Sequence, residues 1–321
     1  MIPLEEIRAA RERIGDTVLR TPLVRLDERI SLKLECLQPI GSFKLRGALN
    51  AMRARPAQDV LTASAGNMAQ GVAWAARELG VRATVVAPEA APRAKLDRVE
   101  ELGAEIVLVP HETWWQVMVD RRWPLEAPAA KPPAPGERPP PSLAGGIDAL
   151  FIHPVEDELV MAGNGTIGLE LAEDAPEFDT LVVPWGGGGL TTGIASALHA
   201  LRPGVRIVTA EPETAAPLAA SLPAGRPVEI DYAPSFVDGA GGRALLPTMW
   251  ARAQELVDEA VAVPLDDVRE AMQLLATRAG LVAEGAGALA LAVALRRRDR
   301  CVCIVSGRNV DLDVFAQILA T

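Results

Sequence analysis

Short apolar runs recur along the chain, and longer segments with the apolar spacing of amphipathic helices separate them. The runs are rich in valine and isoleucine, and glycine or proline turns flank them. Continuous runs of this kind are typical of strands buried on both faces of a sheet. Their alternation with helices predicts an α/β fold with mostly parallel sheets and helices on both sides. The predicted strands cover residues 30–36, 59–63, 82–88, 104–110, 180–184, 205–211 and 301–307.

Residues 124–146 interrupt this alternation, because proline and glycine dominate the segment. Proline lacks the N–H donor that a regular helix or a central strand needs. We therefore predict a surface loop that borders the smaller of two domains. A flexible linker between the domains is the competing interpretation.

Composition and charge narrow the class of protein. The chain has 321 residues, 49% of them hydrophobic, so it can bury the core of one large or two smaller domains. A net charge of −10 argues against nucleic acid or an anionic membrane as partner, because neither attracts an acidic surface. Three cysteines in apolar surroundings form no disulfide framework, and the charged N-terminus is unlike a signal peptide. These features predict a cytoplasmic protein.

Lys44 stands in the segment GSFKLRGALN, among leucine, alanine and phenylalanine residues. The charge of a lysine is costly to bury in such a setting. Desolvation favours the neutral amine, which attacks carbonyl groups and accepts protons. Lys44 is therefore a candidate catalytic residue.

The segment VVPWGGGGLTTGIASAL, residues 182–198, predicts a strand, a glycine turn and a helix. A helix start offers free N–H groups, and glycine lets the backbone approach a phosphate closely. Neither the dinucleotide spacing G-x-G-x-x-G nor the Gly-Lys-Ser/Thr ending of a P-loop is present. The turn is therefore a candidate phosphate site of another kind, and a tight turn for helix–sheet packing is the alternative.

Three further polar positions stand next to predicted strands or helices. Residues 64–67 form a small-residue turn that could bind an anion, although Asn67 could simply cap the following helix. Ser306 follows the last predicted strand, at the end where ligands bind in open α/β sheets. Glu284 precedes an apolar helix, where most acidic residues only satisfy the helix N-terminus.

Together, a lysine in an apolar setting, a phosphate cradle, an anion-binding turn and a polar residue at a strand end suit pyridoxal phosphate. That cofactor has a phosphate, an aldehyde that condenses with lysine and a ring nitrogen that needs a partner. The chain resembles the fold-type II pyridoxal phosphate enzymes, and within them the serine/threonine dehydratase and serine racemase group. The stretches that carry the resemblance are GSFKLRGA, SAGNMAQGVA, FIHPVEDELVMAGNGTIGLEL, VPWGGGGL, AEGAGALA and SGRNVD.

The resemblance implies a fold like that of the tryptophan synthase β-subunit, with two three-layer αβα domains. The large, cofactor-binding domain would comprise residues 1–50 and 147–321. The small, mobile domain would comprise residues 51–146, including the loop 124–146. The family also implies a homodimer.

The resemblance also implies roles for individual residues. Lys44 would carry the cofactor as a Schiff base and move the Cα proton. The substrate carboxylate would be bound by Ser64, Ala65, Gly66 and Asn67. The remaining cofactor contacts would come from Phe43, Asn67, Gly186, Gly187, Gly188, Gly189, Leu190, Gly239, Glu284 and Ser306.

The reaction implied by the family is β-elimination of water from a 3-hydroxy amino acid, giving a 2-oxo acid and ammonia. Threonine, serine, phenylserine and 3-hydroxyaspartate are the candidate substrates. The alternatives are β-replacement or racemisation on the same cofactor, and, outside enzymes, a non-catalytic amino-acid-binding protein.

Several residues depart from the family pattern. Met68 replaces a histidine, and Ala65 stands where racemases carry a proton-transferring serine, which favours elimination. Glu211 and Ala215 match two ligands of the family's cation site, but Pro217 replaces the third ligand, an aspartate.

Arg308 replaces a glycine in SGRN, where it could pair with an acidic loop or reach the substrate side chain. Trp185 replaces a small aliphatic residue before the glycines. Because the chain ends soon after SGRN, we expect no regulatory domain.

Overall fold

A computed structural model describes residues 1–91, 93–123 and 149–320. The chain divides into two compact units, and each is described separately below. The first unit comprises Met1–Phe43 and Met161–Thr321, and the second comprises Lys44–Val160. The chain therefore passes from one unit to the other between Phe43 and Lys44. The predicted loop 124–146 lies outside the described residues.

Ten strands form within the described ranges. They are β1 (Leu23–Arg25), β2 (Ile30–Lys33), β3 (Asp59–Ala63), β4 (Arg82–Pro88), β5 (Glu105–Val109), β6 (Leu150–Phe151), β7 (Thr180–Pro184), β8 (Arg206–Pro212), β9 (Glu259–Val263) and β10 (Cys301–Ile304).

The same ranges contain twelve α-helices. They are α1 (Leu4–Ile14), α2 (Lys44–Ala54), α3 (Asn67–Leu79), α4 (Arg93–Glu101), α5 (His111–Asp120), α6 (Glu158–Asp174), α7 (Gly189–Leu201), α8 (Pro217–Ala224), α9 (Pro247–Leu256), α10 (Leu265–Ala279), α11 (Gly285–Leu295) and α12 (Leu312–Ala320). No helix of the described chain is long and apolar enough to span a membrane.

The first unit is built on a sheet of six strands in the order β1-β2-β10-β7-β8-β9. Its strands are parallel except β1, which pairs antiparallel with β2. Leu181 and Val183 of β7 pack into a hydrophobic cluster with residues of α6 and α7. Val182, between them, packs into a second cluster with residues of α10 and α11. Because neighbouring side chains of a strand point to opposite faces, helices cover both faces of this sheet.

The second unit is built on a smaller parallel sheet with the order β5-β4-β3-β6. Leu61 and Ala63 of β3 pack in a cluster with Val117 of α5. The helices α2 and α3 pack against each other at Gly71. A Cβ atom at that position would lie 3.2 Å from the backbone carbon and oxygen of Lys44. Glycine therefore permits the close approach of α3 to the start of α2.

The predicted α/β class with mostly parallel strands is confirmed. The strand, turn and helix predicted over residues 182–198 are also confirmed, because β7 and α7 form there. The predicted strand at residues 30–36 is too long, because β2 ends at Lys33 and a 3₁₀ turn follows. The sequence did not predict β1, β6 or β9. All three are edge strands with partly exposed side chains, and β6 has only two residues.

Candidate active site

The glycine turn of the first unit joins the end of β7 to the start of α7. Gly188 has a φ angle of +94°, in the region that favours glycine. In the part of the chain that the structure describes, the N–H groups of Gly186, Gly187 and Gly188 have no hydrogen-bond acceptor. The N–H groups of the first turn of α7 lack partners within the helix. This group of donors at a helix N-terminus fits a phosphate.

Two other predicted cofactor residues adjoin the glycine turn within the first unit. A Cβ atom at Gly186 would lie 3.4 Å from the carbonyl oxygen of Gly239. A Cβ atom at Gly239 would in turn lie 3.6 Å from Oε1 of Glu284 and 3.1 Å from Cβ of Ala286. Gly186, Gly239 and Glu284 therefore form one continuous wall, and a larger residue at Gly239 would press against Ala286.

Ser306 lies beside this wall, two residues after the end of β10. The carbonyl of Gly307 accepts a hydrogen bond from the N–H of Glu284 at 3.1 Å, and the carbonyl of Ser306 accepts one from the N–H of Phe43 at 3.1 Å. The Ser306 side chain is buried, and its hydroxyl has no hydrogen bond with any residue that the structure describes. A hydroxyl without a protein partner on a mostly buried residue suits a ring nitrogen. Phe43 itself packs in the cluster with Leu190.

Lys44 is the first residue of α2 in the second unit. Its Nζ donates a hydrogen bond to the carbonyl oxygen of Pro154 at 3.1 Å, and the residue is only half-buried. Lys33 is the more deeply buried lysine, with 0% exposure. Its Nζ pairs with Glu170 at 2.5 Å and donates to the carbonyl of Thr21 at 2.6 Å. Lys33 is therefore held in a structural ion pair with a carboxylate, whereas the oxygen that Lys44 contacts at Pro154 is uncharged.

His153 supports the segment that carries this carbonyl. Its Nδ1 accepts hydrogen bonds from the N–H groups of Val155 at 3.1 Å and Glu156 at 2.8 Å. Burial lowers the pKa of His153 to about 4, although the nearby Glu156 acts in the opposite direction. The imidazole is therefore neutral at physiological pH and can accept both bonds. The FIHP motif marks the position, but the contact from Pro154 to Lys44 was not predictable from it.

The predicted anion-binding turn, residues 64–67, lies in the second unit between β3 and α3. The N–H of Ser64 donates to the carbonyl of Val86 at 3.0 Å, and Oγ of Ser64 accepts from the N–H of Gly66 at 3.3 Å. The four residues are half-buried. Asn67 begins α3, one helical turn before the glycine that touches the backbone of Lys44. The structure therefore brings this turn and Lys44 to neighbouring helix starts.

The departures from the family pattern have clear places in the structure. Met68 is 2% exposed and packs in the interior. Arg308 donates its N–H to the carbonyl of Gly41 at 2.8 Å, and its side chain lies over the α-carbon of Gly41, which has a φ angle of +75°. The guanidinium forms no ion pair with any described residue. The alternative in which Arg308 pairs with an acidic loop therefore finds no support within those residues.

The residues of the candidate cation site do not fit a cation. Both carboxyl oxygens of Glu211 accept hydrogen bonds at the start of α8, from the N–H groups of Leu218 at 3.1 Å and Ala219 at 2.8 Å. Burial raises the pKa of Glu211 to about 8, although these two donors lower it. The carbonyl of Ala215 accepts from the N–H of Gly242 at 3.2 Å. Glu211 caps a helix, and the described residues include no cluster of three metal-ligating side chains.

Comparison with known proteins identifies the class. The family described as pyridoxal-phosphate dependent enzymes matches residues 14–307. The chain belongs to this family, whose members depend on pyridoxal phosphate. The open donors of the glycine turn and the unpaired hydroxyl of Ser306 fit the phosphate and the ring nitrogen of that cofactor.

Individual members of the family that are similar to this chain carry more specific names. The chain is 38% identical to an L-threonine ammonia-lyase of Geobacter sulfurreducens, over 99% of this chain and 78% of that protein. It is similar to the structure of maize serine racemase, with a TM-score of 0.83 and 30% identity over 99% of this chain and 96% of that one. It is also similar to the processed form of threonine deaminase isoform 2 from Solanum lycopersicum, with a TM-score of 0.80 and 28% identity over 99% of this chain and 92% of that one.

Proposed function

We propose that the protein is a pyridoxal phosphate-dependent ammonia-lyase that converts a 3-hydroxy amino acid to a 2-oxo acid and ammonia. The observation that carries this proposal is the near full-length similarity to a protein named L-threonine ammonia-lyase. The overall reaction balances, because the water lost with the β-hydroxyl is regained when the nitrogen leaves as ammonia.

The first unit holds the cofactor in this proposal. The N–H groups of residues 186–190 bind the phosphate, and the hydroxyl of Ser306 contacts the ring nitrogen. When bound, pyridoxal phosphate supplies an electron sink that makes the Cα proton of an amino acid acidic. A neutral serine does not enforce protonation of the ring as a carboxylate does, so the sink is weaker. A weaker sink favours elimination over transamination.

The second unit supplies Lys44 and the residues that orient the substrate. Its amine takes the proton from Cα, and the carbonyl of Pro154 fixes the Nζ atom before the transfer. The turn at residues 64–67 would bind the substrate carboxylate through donors other than the N–H of Ser64, which is bonded to the carbonyl of Val86. The amide of Asn67 would contact the ring hydroxyl. Ala65 has no group that could return a proton to the opposite face of Cα. Dehydration is therefore favoured over racemisation.

The substrate panel of serine, threonine, phenylserine and 3-hydroxyaspartate tests this proposal. We expect release of ammonia and a 2-oxo acid from at least one of them without an added nucleophile. The Lys44→Ala variant should lose this activity and the absorbance band near ~410–430 nm of the cofactor bound to lysine. A requirement for an added thiol would instead indicate β-replacement. A protein that binds amino acids but stays colourless with the cofactor would be a binding protein.

We also propose that the protein acts in the cytoplasm as a homodimer, as the family resemblance implies. The acidic net charge and the three buried, unpaired cysteines are compatible with a reducing compartment. Light scattering of the purified protein tests the assembly, and a mass equal to one chain would contradict it.

A further inference from the structure

Trp185 separates the last residue of β7 from the glycine turn and is one of the largest fully buried side chains of the described residues. It packs in a cluster with Leu218, Ala253 and Val257, against which the half-buried Trp250 also packs. Its backbone is held on both sides. The N–H donates to the carbonyl of Ala210 at 2.9 Å, and the carbonyl accepts from the N–H of Gly241 at 2.7 Å.

The indole ring of Trp185 lies directly against the last residue of the turn before α7. A Cβ atom at Gly188 would lie 2.4 Å from Cη2 and 2.6 Å from Cζ2 of the indole, and 3.0 Å from Cε of Met249. Real side chains do not tolerate such distances, so the ring occupies the space that a side chain at Gly188 would fill. The backbone of Gly188 cannot move toward the interior while the ring is present.

The polar group of the indole does not explain why a tryptophan is buried here. Nε1 of Trp185 is buried without a hydrogen-bond partner among the described residues. A buried donor without a partner is destabilising, so an aromatic residue without it would be favoured if only core packing mattered. The remaining differences between tryptophan and other aromatic residues at this position are the shape of the indole ring and its contact with Gly188.

We propose that Trp185 is a positioning residue that holds the N–H groups of Gly187, Gly188 and Gly189 in place for the cofactor phosphate. The contact acts on the backbone of Gly188, which carries one of these donors and precedes the first residue of α7. Without the indole ring, the backbone of the turn can move into the space that the ring occupied. The N–H donors then no longer point to a common centre. This inference rests on the proposed function in one respect, which is that the glycine turn binds the phosphate.

The test compares two ligands that differ only in the phosphate. Dissociation constants of pyridoxal phosphate and of pyridoxal are measured by absorbance titration for the wild-type protein, Trp185→Leu and Trp185→Phe. We expect both variants to bind pyridoxal phosphate about tenfold more weakly or worse, the effect of weakening one charge-assisted hydrogen bond. Binding of pyridoxal should change by less than about twofold.

Trp250→Leu is the matched control, because Trp250 packs against the same cluster and is not among the three nearest contacts of Gly188. It should bind both ligands as the wild type does. Trp185→Phe removes the unpaired donor and retains an aromatic ring, so it should stay folded even if Trp185→Leu does not. The phosphate-specific loss in the phenylalanine variant then decides the question.

Two results would overturn the inference. Equal losses for both ligands would mean that Trp185 only maintains the fold, and unchanged binding of pyridoxal phosphate would mean that the ring only fills space. A wild-type protein that binds no pyridoxal phosphate would refute the proposed function itself. The two failures are therefore distinguishable.

Discussion

The amine of Lys44 donates a hydrogen bond to the carbonyl oxygen of Pro154 at 3.1 Å, within one compact unit of the chain. A carbonyl orients an amine without the full charge of a carboxylate, which would strongly favour the protonated form. The partly exposed Lys44 and the fully buried Lys33 thus differ in the partners that the structure shows for them. Lys33 is committed to its ion pair with Glu170, and Lys44 is the lysine that we propose as the reactive one.

Replacing Lys44 with arginine separates its charge from its ability to transfer a proton. Arginine keeps the positive charge and can still donate to Pro154, but it cannot be deprotonated in a protein. We expect Lys44→Arg to fold and to lose activity by about 10³-fold or more, as for the loss of a catalytic base or nucleophile. Ammonia release and circular dichroism measure the two effects. Retention of a tenth of the activity would contradict a catalytic role.

His153 makes the stability of the second unit depend on pH. Because burial holds its folded-state pKa at about 4, below the ordinary value of 6.5, the folded protein favours the neutral imidazole. Stability is therefore fully present above about pH 6.5 and is lost as the pH falls toward 4. The loss attributable to this residue is up to about 3 kcal/mol.

His153→Asn tests this assignment. The asparagine oxygen can accept the N–H bonds of Val155 and Glu156 but cannot take up a proton in this range. Chemical unfolding between pH 4 and 7 should show a flatter stability profile for the variant than for the wild type. Parallel profiles would show that His153 does not titrate as described.

The site around Glu211 predicts that the enzyme needs no added cation. Its two oxygens already cap α8, and a proline stands at the third ligand position of the family site. Addition of EDTA, potassium or magnesium should change the activity by less than about twofold and the melting temperature by less than about 2 °C. The reason is that no bound cation contributes to folding or to the reaction. A rise of several degrees with one cation would show that a site exists.

Much of the site follows from the sequence, because short motifs fix backbone geometry. The proline and glycines at residues 184–189 end a strand and begin a helix, and the strand ends place Ser306 near Glu284. Contacts across the fold do not follow in this way. The hydrogen bond from Lys44 to Pro154 depends on how two segments far apart in sequence pack together. The contact between Trp185 and Gly188 depends on how the two ends of one turn fold onto each other. The deep burial of Lys33 could not be predicted from the sequence either, since its partner Glu170 lies on another element.

Gly193 marks a close approach of α7 to α6. It lies on α7, and a Cβ atom there would lie 2.2 Å from the carbonyl oxygen of Met161 and 2.7 Å from the nitrogen of Gly165, both on α6. Gly193→Ala should therefore separate the two helices and destabilise the protein by about 2 kcal/mol or more. Gly242→Ala, whose nearest contact would be at 3.7 Å, is the control in a denaturant unfolding measurement. Equal stability of both variants would contradict the close packing of α6 on α7.

Ala65 predicts the stereochemical outcome of the reaction. It lies in the turn between β3 and α3 and carries only a methyl group, so no side chain at this position can donate a proton to Cα. When L-serine is the substrate, the serine that remains should keep its L configuration, and chiral chromatography should detect no D-serine.

Ala65→Ser adds a hydroxyl at this half-buried position without a large change in volume. If the hydroxyl reaches the face of Cα opposite to Lys44, the variant should form measurable D-serine while its dehydration rate falls. Ser64→Ala is the matched control, since it removes a hydroxyl from the neighbouring position and should form none. Formation of D-serine by the wild-type protein would show that another group returns the proton, and dehydration would then not be the only outcome of Cα deprotonation.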